Sequence, residues 1–198
     1  EETATPLMDP KHYLVQDKEK PVYFGGVELN DLKEFGIDST DMKVYLPNSA
    51  EDADKLGLEV HFMSHYVHWS PQQNYYYVKE NSSFESNPNG RSEGTYSKYS
   101  SLDDKIDGQH YYTMLIKFGQ GRAMNDACRD IRDGYISREE GVQLVNKYDQ
   151  EFPQNHFDFF LDYIGITKEQ YFNTIDNARS EHIWKNENGK WVLRYPCK

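Results

Sequence analysis

The chain has 198 residues, enough for one domain with a real core, or for one domain plus an arm. Hydrophobic residues make up 37% and aromatic residues 15%, with 16 tyrosines, which marks a globular chain and not a disordered one. A net charge of −11 argues against a nucleic-acid binder that works by neutralising phosphates and against docking on anionic lipid, and no run of about 18 apolar residues offers a membrane-spanning helix.

Residues 1–20 are polar, contain Pro6 and Pro10, and read as an arm or linker without a leader-like pattern. Val22 to Phe24 reads as a short strand followed by a turn at Gly25-Gly26, and Leu29 to Phe35 as a short helix ended by Gly36. Val44-Tyr45-Leu46 before Pro47 reads as extended, and Ser49 caps a helix that Gly57 stops after Leu56. Leu58 to Trp69 is rich in β-branched and aromatic residues and predicts a strand. A strand would turn His61 and His65 to one face and His68 to the other. No cysteine lies nearby, so the histidines point to core or pocket lining and no metal site is expected.

Ser70 followed by Pro71 starts a helix that runs to about Glu80. Residues 81–97 are rich in serine, asparagine and glycine and predict a long loop of the kind that binds ligands or covers a site. The next stretch, from Lys98 to Arg122, holds the densest polar cluster. Ser100 with Asp103 three residues on resembles a capping box, and a helix from there would bring Asp103, Asp107, His110 and Lys117 into one arc at about 100° per residue. Leu102, Ile106, Tyr111, Tyr112, Leu115, Ile116 and Phe118 cover much of the rest, and buried charge needs partners. Acids in a first helical turn also simply offset the macrodipole, which is the structural reading of Asp103 and Asp104.

Gly119 and Gly121 break this helix and place Arg122 at the head of the next, whose apolar face is Ala123, Met124, Ala127, Cys128 and Ile131. Arg122 and Arg129 are candidates for reaching a phosphate. Residues 129–140 imitate the second half of a calcium loop. However, Arg129 and Ile131 stand at its first and third ligand positions, so a helix, a turn at Gly134 and a new helix capped by Ser137 and Glu140 is the better account. Helices follow at Ser137–Tyr148, His156–Ile164 and Thr167–Arg179, then a hairpin from Ile183 to Tyr195 turning at Asn188-Gly189. The fold class is mainly α (α+β): a helical C-terminal domain over 58–198 with a few short strands and a C-terminal β-hairpin, preceded by an arm and short elements over 1–57. Two widely spaced cysteines, Cys128 and Cys197, suit a reduced, cytoplasmic setting.

The run EGTYSKYSSLDDKIDGQHYY, continued by IKFGQGRAMNDACRDIRDGYISREEGVQLVNKYDQEFP, resembles the C-terminal half of the N-acetyl sugar amidotransferase family, and the likeness extends from about Leu58 to Tyr195. These are PP-loop enzymes of the ATP-pyrophosphatase type, linked to bacterial surface-polysaccharide, lipopolysaccharide and glycan biosynthesis. The family's SGGxDS phosphate loop has no counterpart here, since Phe24-Gly25-Gly26-Val27 lacks both serine and aspartate. The chain therefore reads as the remainder of a PP-loop α/β enzyme, a fragment or split portion beginning after the nucleotide-binding half.

The resemblance implies an enzyme that adenylates the N-acetyl carbonyl oxygen of a nucleotide sugar using ATP and Mg²⁺. Ammonia from a glutaminase subunit then displaces AMP and leaves an acetamidino group. For that chemistry the polar cluster offers Lys117, Arg122 and Asp107 as candidate catalytic residues, and Lys98, Ser100, Asp103, Asp104, Lys105, His110 and Arg129 as candidates for substrate binding. The alternative is a non-catalytic helical module that docks the glutaminase or the PP-loop half through an exposed aromatic face at Tyr75, Tyr76 and Tyr77.

Overall fold

The computed structural model describes residues 7–8, 21–38 and 40–198. The expected arm over 1–20 otherwise lies outside the described residues. The fold is α-rich α+β, and the chain divides into two units after Trp69, where the sequence places the boundary after Gly57.

In the first unit, β1 (Leu7–Met8) pairs antiparallel with β4 (Val60–His61), and β2 (Tyr23–Phe24) with β3 (Val27–Glu28). Gly25 and Gly26 turn the second pair with φ of 57° and 88°, angles that a side chain would strain. Asp31–Phe35 forms a 3-10 turn ended by Gly36, and α1 (Ala50–Leu56) has the expected Ser49 cap and left-handed Gly57. Two expectations fail. Val44 and Tyr45 lie in a turn, with the Tyr45 and Leu46 amides donating to the Met42 carbonyl. The strand expected over Leu58–Trp69 is extended only at β4, and α2 (Met63–Tyr66) is a single helical turn. Strand propensity measures packing on a pleated, half-buried surface. Here Met63, Tyr66, Val67 and Trp69 are exposed, and His61 bonds locally, to Tyr66 Oη at 2.6 Å and Glu59 Oε2 at 2.8 Å.

The second unit holds α3 (Pro71–Asn81), α4 (Asp107–Phe118), α5 (Arg122–Arg132), α6 (Arg138–Tyr148), α7 (Phe157–Ile164), α8 (Lys168–Asn177) and the hairpin β5 (Trp184–Glu187) with β6 (Lys190–Leu193). Ser70 caps α3, and full capping boxes start α6 (Ser137, Glu140) and α8 (Thr167, Gln170). Asn188 and Gly189 take positive φ, as a two-residue hairpin turn requires. Leu115, Ile116, Phe157, Leu161, Tyr171, Ile175 and Trp184 form the buried core. Its polar atoms are satisfied inside it: the Trp184 indole donates to the Ile116 carbonyl at 2.7 Å, and the Tyr171 hydroxyl to Gln109 Oε1 at 2.6 Å. Cys128, expected on the buried face of α5, is exposed; Ala123 and Ala127 are the buried positions of that helix. Among the described residues no helix is long and apolar enough to cross a membrane.

Candidate functional site

The central helix begins later than its sequence suggests. Ser100 and Asp103 do not cap it; α4 starts at Asp107, and residues 82–106 form one long connection from α3. Two local features hold the connection out of helix. Ser101 sits in the left-handed region with φ of 55°, and Asp104 Oδ1 accepts the Ile106 amide at 2.7 Å, a side-chain turn that competes with helix formation. Asp103 is therefore absent from the arc of Asp107, His110 and Lys117.

Packing onto three neighbours fixes this connection. Arg91 reaches Glu151, just beyond α6, through two parallel bonds of 2.6 and 2.7 Å and lies over the Tyr148 ring at 4.5 Å. Arg91 holds the Glu151 carboxyl below the usual carboxylate range, and the Gly94 amide adds a 2.9 Å bond. Glu93 accepts the Asn155 amide at 3.0 Å. On the other side the Thr95 hydroxyl donates to Asp126 Oδ2 at 2.9 Å, Tyr96 to Asp130 at 2.6 Å, and Tyr99 stacks on Tyr75 at 4.6 Å and donates to Gln72. Burial keeps both phenols protonated, pushing Tyr99 up to about 12 and Tyr96 higher, with the Asp130 carboxylate a second cause for Tyr96. Burial also raises Asp130.

Between this connection, the start of α4, the start of α5 and residues 153–156 lies a pocket of about 720 Å³. That is the size of a small-molecule site. Its floor carries Gly108 and Gln109. A Cβ at Gly108 would meet Pro153 Cβ at 2.9 Å, so glycine is what lets the two segments close. Arg122 lines the pocket. Its Nε donates to Asp126 at 3.1 Å, and its guanidinium lies over Tyr111 at 4.4 Å from the ring centroid. The Thr95 hydroxyl holds the same Asp126, so loop and cation are set together. Lys105 and the Glu151-paired Arg91 are further cations on the lining, and Glu85, Glu93, Asp103 and Asp104 are its acids. Serine, threonine and asparagine side chains supply much of the remainder. The surface is of mixed charge and rich in hydroxyl and amide groups, suited to a polyhydroxylated ligand that carries a localised anion.

Of the residues singled out in the sequence, the pocket gathers Ser100, Asp103, Asp104, Lys105 and Arg122. It does not gather Lys98, Asp107, His110, Lys117 or Arg129. Lys117 is exposed near the C-terminal end of α4, roughly 13 Å along the axis from Gly108, and its ammonium rests over Phe118 at 5.2 Å. One helix of this length cannot present both ends to one small cavity. Arg91, Glu93, Tyr111, Asn155 and His156 also line the pocket. The sequence hinted at the loop through its composition, but not at partners some sixty residues away.

A family model described as LPS biosynthesis protein WbpG-like, C-terminal domain, matches residues 93–195, just over half of the chain. The chain belongs to this WbpG-like C-terminal domain family. The family points to lipopolysaccharide biosynthesis, in agreement with the coarse sense of the sequence resemblance. No curated protein matches the chain. The WbpG-like match begins at Glu93, inside the connection, and takes in α4, α5 and residues 153–156, so most of the pocket wall falls within it.

Ser101 gives one direct test of this wall. Left-handed φ strains a β-branched residue far more than glycine. Ser101→Val is expected to lower unfolding free energy by about 1–2 kcal/mol, while Ser101→Gly changes it by less than about 1 kcal/mol. Urea midpoints at unchanged slope read both values.

Proposed function

We propose that this chain is the sugar-nucleotide-binding, C-terminal part of an ATP-dependent amidotransferase, which converts the N-acetyl group of a nucleotide sugar to an acetamidino group in lipopolysaccharide synthesis. One observation carries the reading. Arg122, with its direction set by Asp126 and Tyr111, shares with Lys105 the wall of a pocket in which the third cation, Arg91, is already paired with Glu151 and hydroxyls, amides and carboxylates supply much of the rest. Cations fixed in advance meet a diphosphate without paying ordering entropy on binding, and the neutral and acidic groups suit sugar hydroxyls. The family's place in lipopolysaccharide biosynthesis supports a glycan substrate.

ATP is assigned to the PP-loop half and not to this chain. Gly25 and Gly26 turn a β-hairpin, whereas a phosphate loop needs a strand-to-helix junction with a hydroxyl side chain. Mg²⁺ would travel with ATP, and ammonia would come from a glutaminase subunit. The work of these residues is to hold the sugar nucleotide and to orient its N-acetyl group.

Calorimetry of the 198-residue chain with UDP-N-acetylglucosamine tests the reading. Binding is expected, with Arg122→Ala weakening it by about tenfold or more, because a hydrogen bond to a charged group is worth about 1.5–3 kcal/mol. A folded chain that takes up no sugar nucleotide at millimolar concentration overturns the proposal; wild-type affinity in a folded Arg122→Ala variant removes that residue from it. A docking module is the second reading. Tyr76 and Tyr77, 55% and 68% exposed, favour it, whereas Tyr75 is buried against Tyr99 and drops out of the aromatic face. Tight binding to a glutaminase or PP-loop partner without sugar-nucleotide binding would support that reading.

A further inference from the structure

The pocket lining does not end in a polar rim on every side. Lys105 and His156 line it, and His156 is the N-cap of α7. One turn into α7 stands Phe159, 47% exposed, and one turn further Tyr163, 68% exposed. The two rings are parallel within 13°, with centroids 6.5 Å apart. The ammonium of Lys105 is 5.0 Å from the centroid of Phe159. Among the described residues Lys105 has no carboxylate partner in hydrogen-bond or ion-pair range.

An exposed phenylalanine contributes little to a core, and α7 already buries Phe157 and Leu161 on its other face. A cation leaning on an aromatic face beside a polar pocket is the arrangement a nucleotide needs. The phosphates meet the cation, the sugar enters the hydroxyl-rich cavity, and the base finds a flat apolar surface just outside.

We propose that Phe159, with Tyr163 alongside it, is the platform on which the nucleobase of the sugar nucleotide stacks, and that the Lys105 ammonium leaves the Phe159 face to bind the diphosphate between platform and pocket. This deepens the preceding proposal and rests on it. It fixes the direction of the ligand: base over α7, diphosphate between Lys105 and Arg122, sugar among the hydroxyl and amide groups of the remaining lining. Stacking is sequence-tolerant, because every base has a π face, so the platform adds affinity without choosing between uracil and other bases.

The test compares two probes on the 198-residue chain, UDP-N-acetylglucosamine and N-acetylglucosamine 1-phosphate. The first is expected to bind more tightly. Phe159→Ala is expected to weaken it by about tenfold, the usual scale for losing one base stack, and to leave the sugar phosphate unchanged. Phe159→Trp should restore or improve the affinity. Circular dichroism and an unchanged urea midpoint check that the variant is folded. Equal affinity of wild type and Phe159→Ala for UDP-N-acetylglucosamine overturns the platform while leaving the pocket proposal standing. A parallel loss for both probes overturns it too, since Phe159 would then act on the pocket and not on the base. If ATP competes for the site and only ATP binding responds to Phe159→Ala, the surface serves a different nucleotide and the proposal is wrong. If neither sugar probe binds the wild-type chain, the pocket reading itself fails and takes the platform with it.

Discussion

An Asp149→Ala variant is expected to unfold with about 3 kcal/mol less free energy than the wild-type chain, measured by urea titration followed by circular dichroism. The reason lies at the head of α5. A helix leaves its first amides without intrahelical partners, and the usual remedy is a serine, threonine, aspartate or asparagine immediately before it. Here that position is Gly121, which has no side chain to offer. The cap comes instead from the end of α6: Asp149 Oδ2 accepts the Gly121 amide and Oδ1 the Met124 amide, both at 2.8 Å. Asp149 is buried, so alanine would strand both donors away from water, at about 1–3 kcal/mol each, partly offset because a buried carboxylate no longer has to be desolvated. Gly121 is part of the same joint. A Cβ there would meet the Asp149 carbonyl oxygen and Oδ1 at 2.9 Å, so Gly121→Ala should act in the same direction.

The pH dependence has a definite sign. Burial raises the Asp149 carboxyl above its ordinary value, with the amide bonds to Met124 and Gly121 pulling the other way. The folded state therefore takes up this proton before the unfolded state does. The gap between wild type and Asp149→Ala should widen as pH falls through the raised value towards the ordinary carboxylate range near about 3.9. Glu151 behaves oppositely. Its carboxyl is held low by Arg91, so the stability it adds is present above its unfolded value and is lost as pH falls through the folded one. A gap that stays flat or narrows with falling pH would mean that the amide bonds outweigh burial at the Asp149 carboxyl. Under the proposed function, the variant should also weaken sugar-nucleotide binding even where it stays folded, because α5 begins with Arg122.

Asp149 also marks the limit of what the sequence discloses. Where a feature is decided within four residues, the sequence states it. Ser49 with Gly57, Ser70 with Pro71, Ser137 with Glu140, Thr167 with Gln170 and Asn188-Gly189 all stand where local chemistry puts them. The start of the central helix is an exception. Ser100 and Asp103 have the spacing of a cap, but Ser101 in a left-handed conformation and the turn at Asp104 end any helix there. The strand expected at 58–69 is extended only at Val60–His61, where it pairs with β1, and its exposed Met63, Tyr66, Val67 and Trp69 lack the half-buried surface that strand propensity presupposes. The site was legible in part: Arg122, Lys105 and the two aspartates sit close together in sequence, and the loop announced itself by composition. Its supports were not legible. Arg91 with Glu151, Glu93 with Asn155 and Gln109 with Tyr171 pair residues about sixty apart, and no single-chain pattern registers such pairs.

The largest loss is expected from Phe157→Ala, about 4 kcal/mol, a large part of the roughly 5–15 kcal/mol that holds a typical domain together. Phe157 is 1% exposed. Its ring meets Phe152 and Tyr171 edge-on at 4.9 Å and Phe172 at 5.8 Å, so truncation empties the centre of an aromatic cluster instead of trimming its border. The damage should not stay local. Tyr171 holds Gln109 through a 2.6 Å bond, and Gln109 Nε2 donates to the Pro153 carbonyl at 2.9 Å. That chain ties the core to the pocket floor, and a Tyr171 ring released into the cavity would loosen it. Phe159→Ala, two residues along the same helix but half exposed, is expected to cost less than about 0.5 kcal/mol. The pair of variants separates the two faces of α7: one is needed for the fold, while the other is left free for a ligand. A loss below about 1 kcal/mol at Phe157, or a larger loss at Phe159 than at Phe157, would mean that α7 is turned the other way, and the stacking platform would go with it.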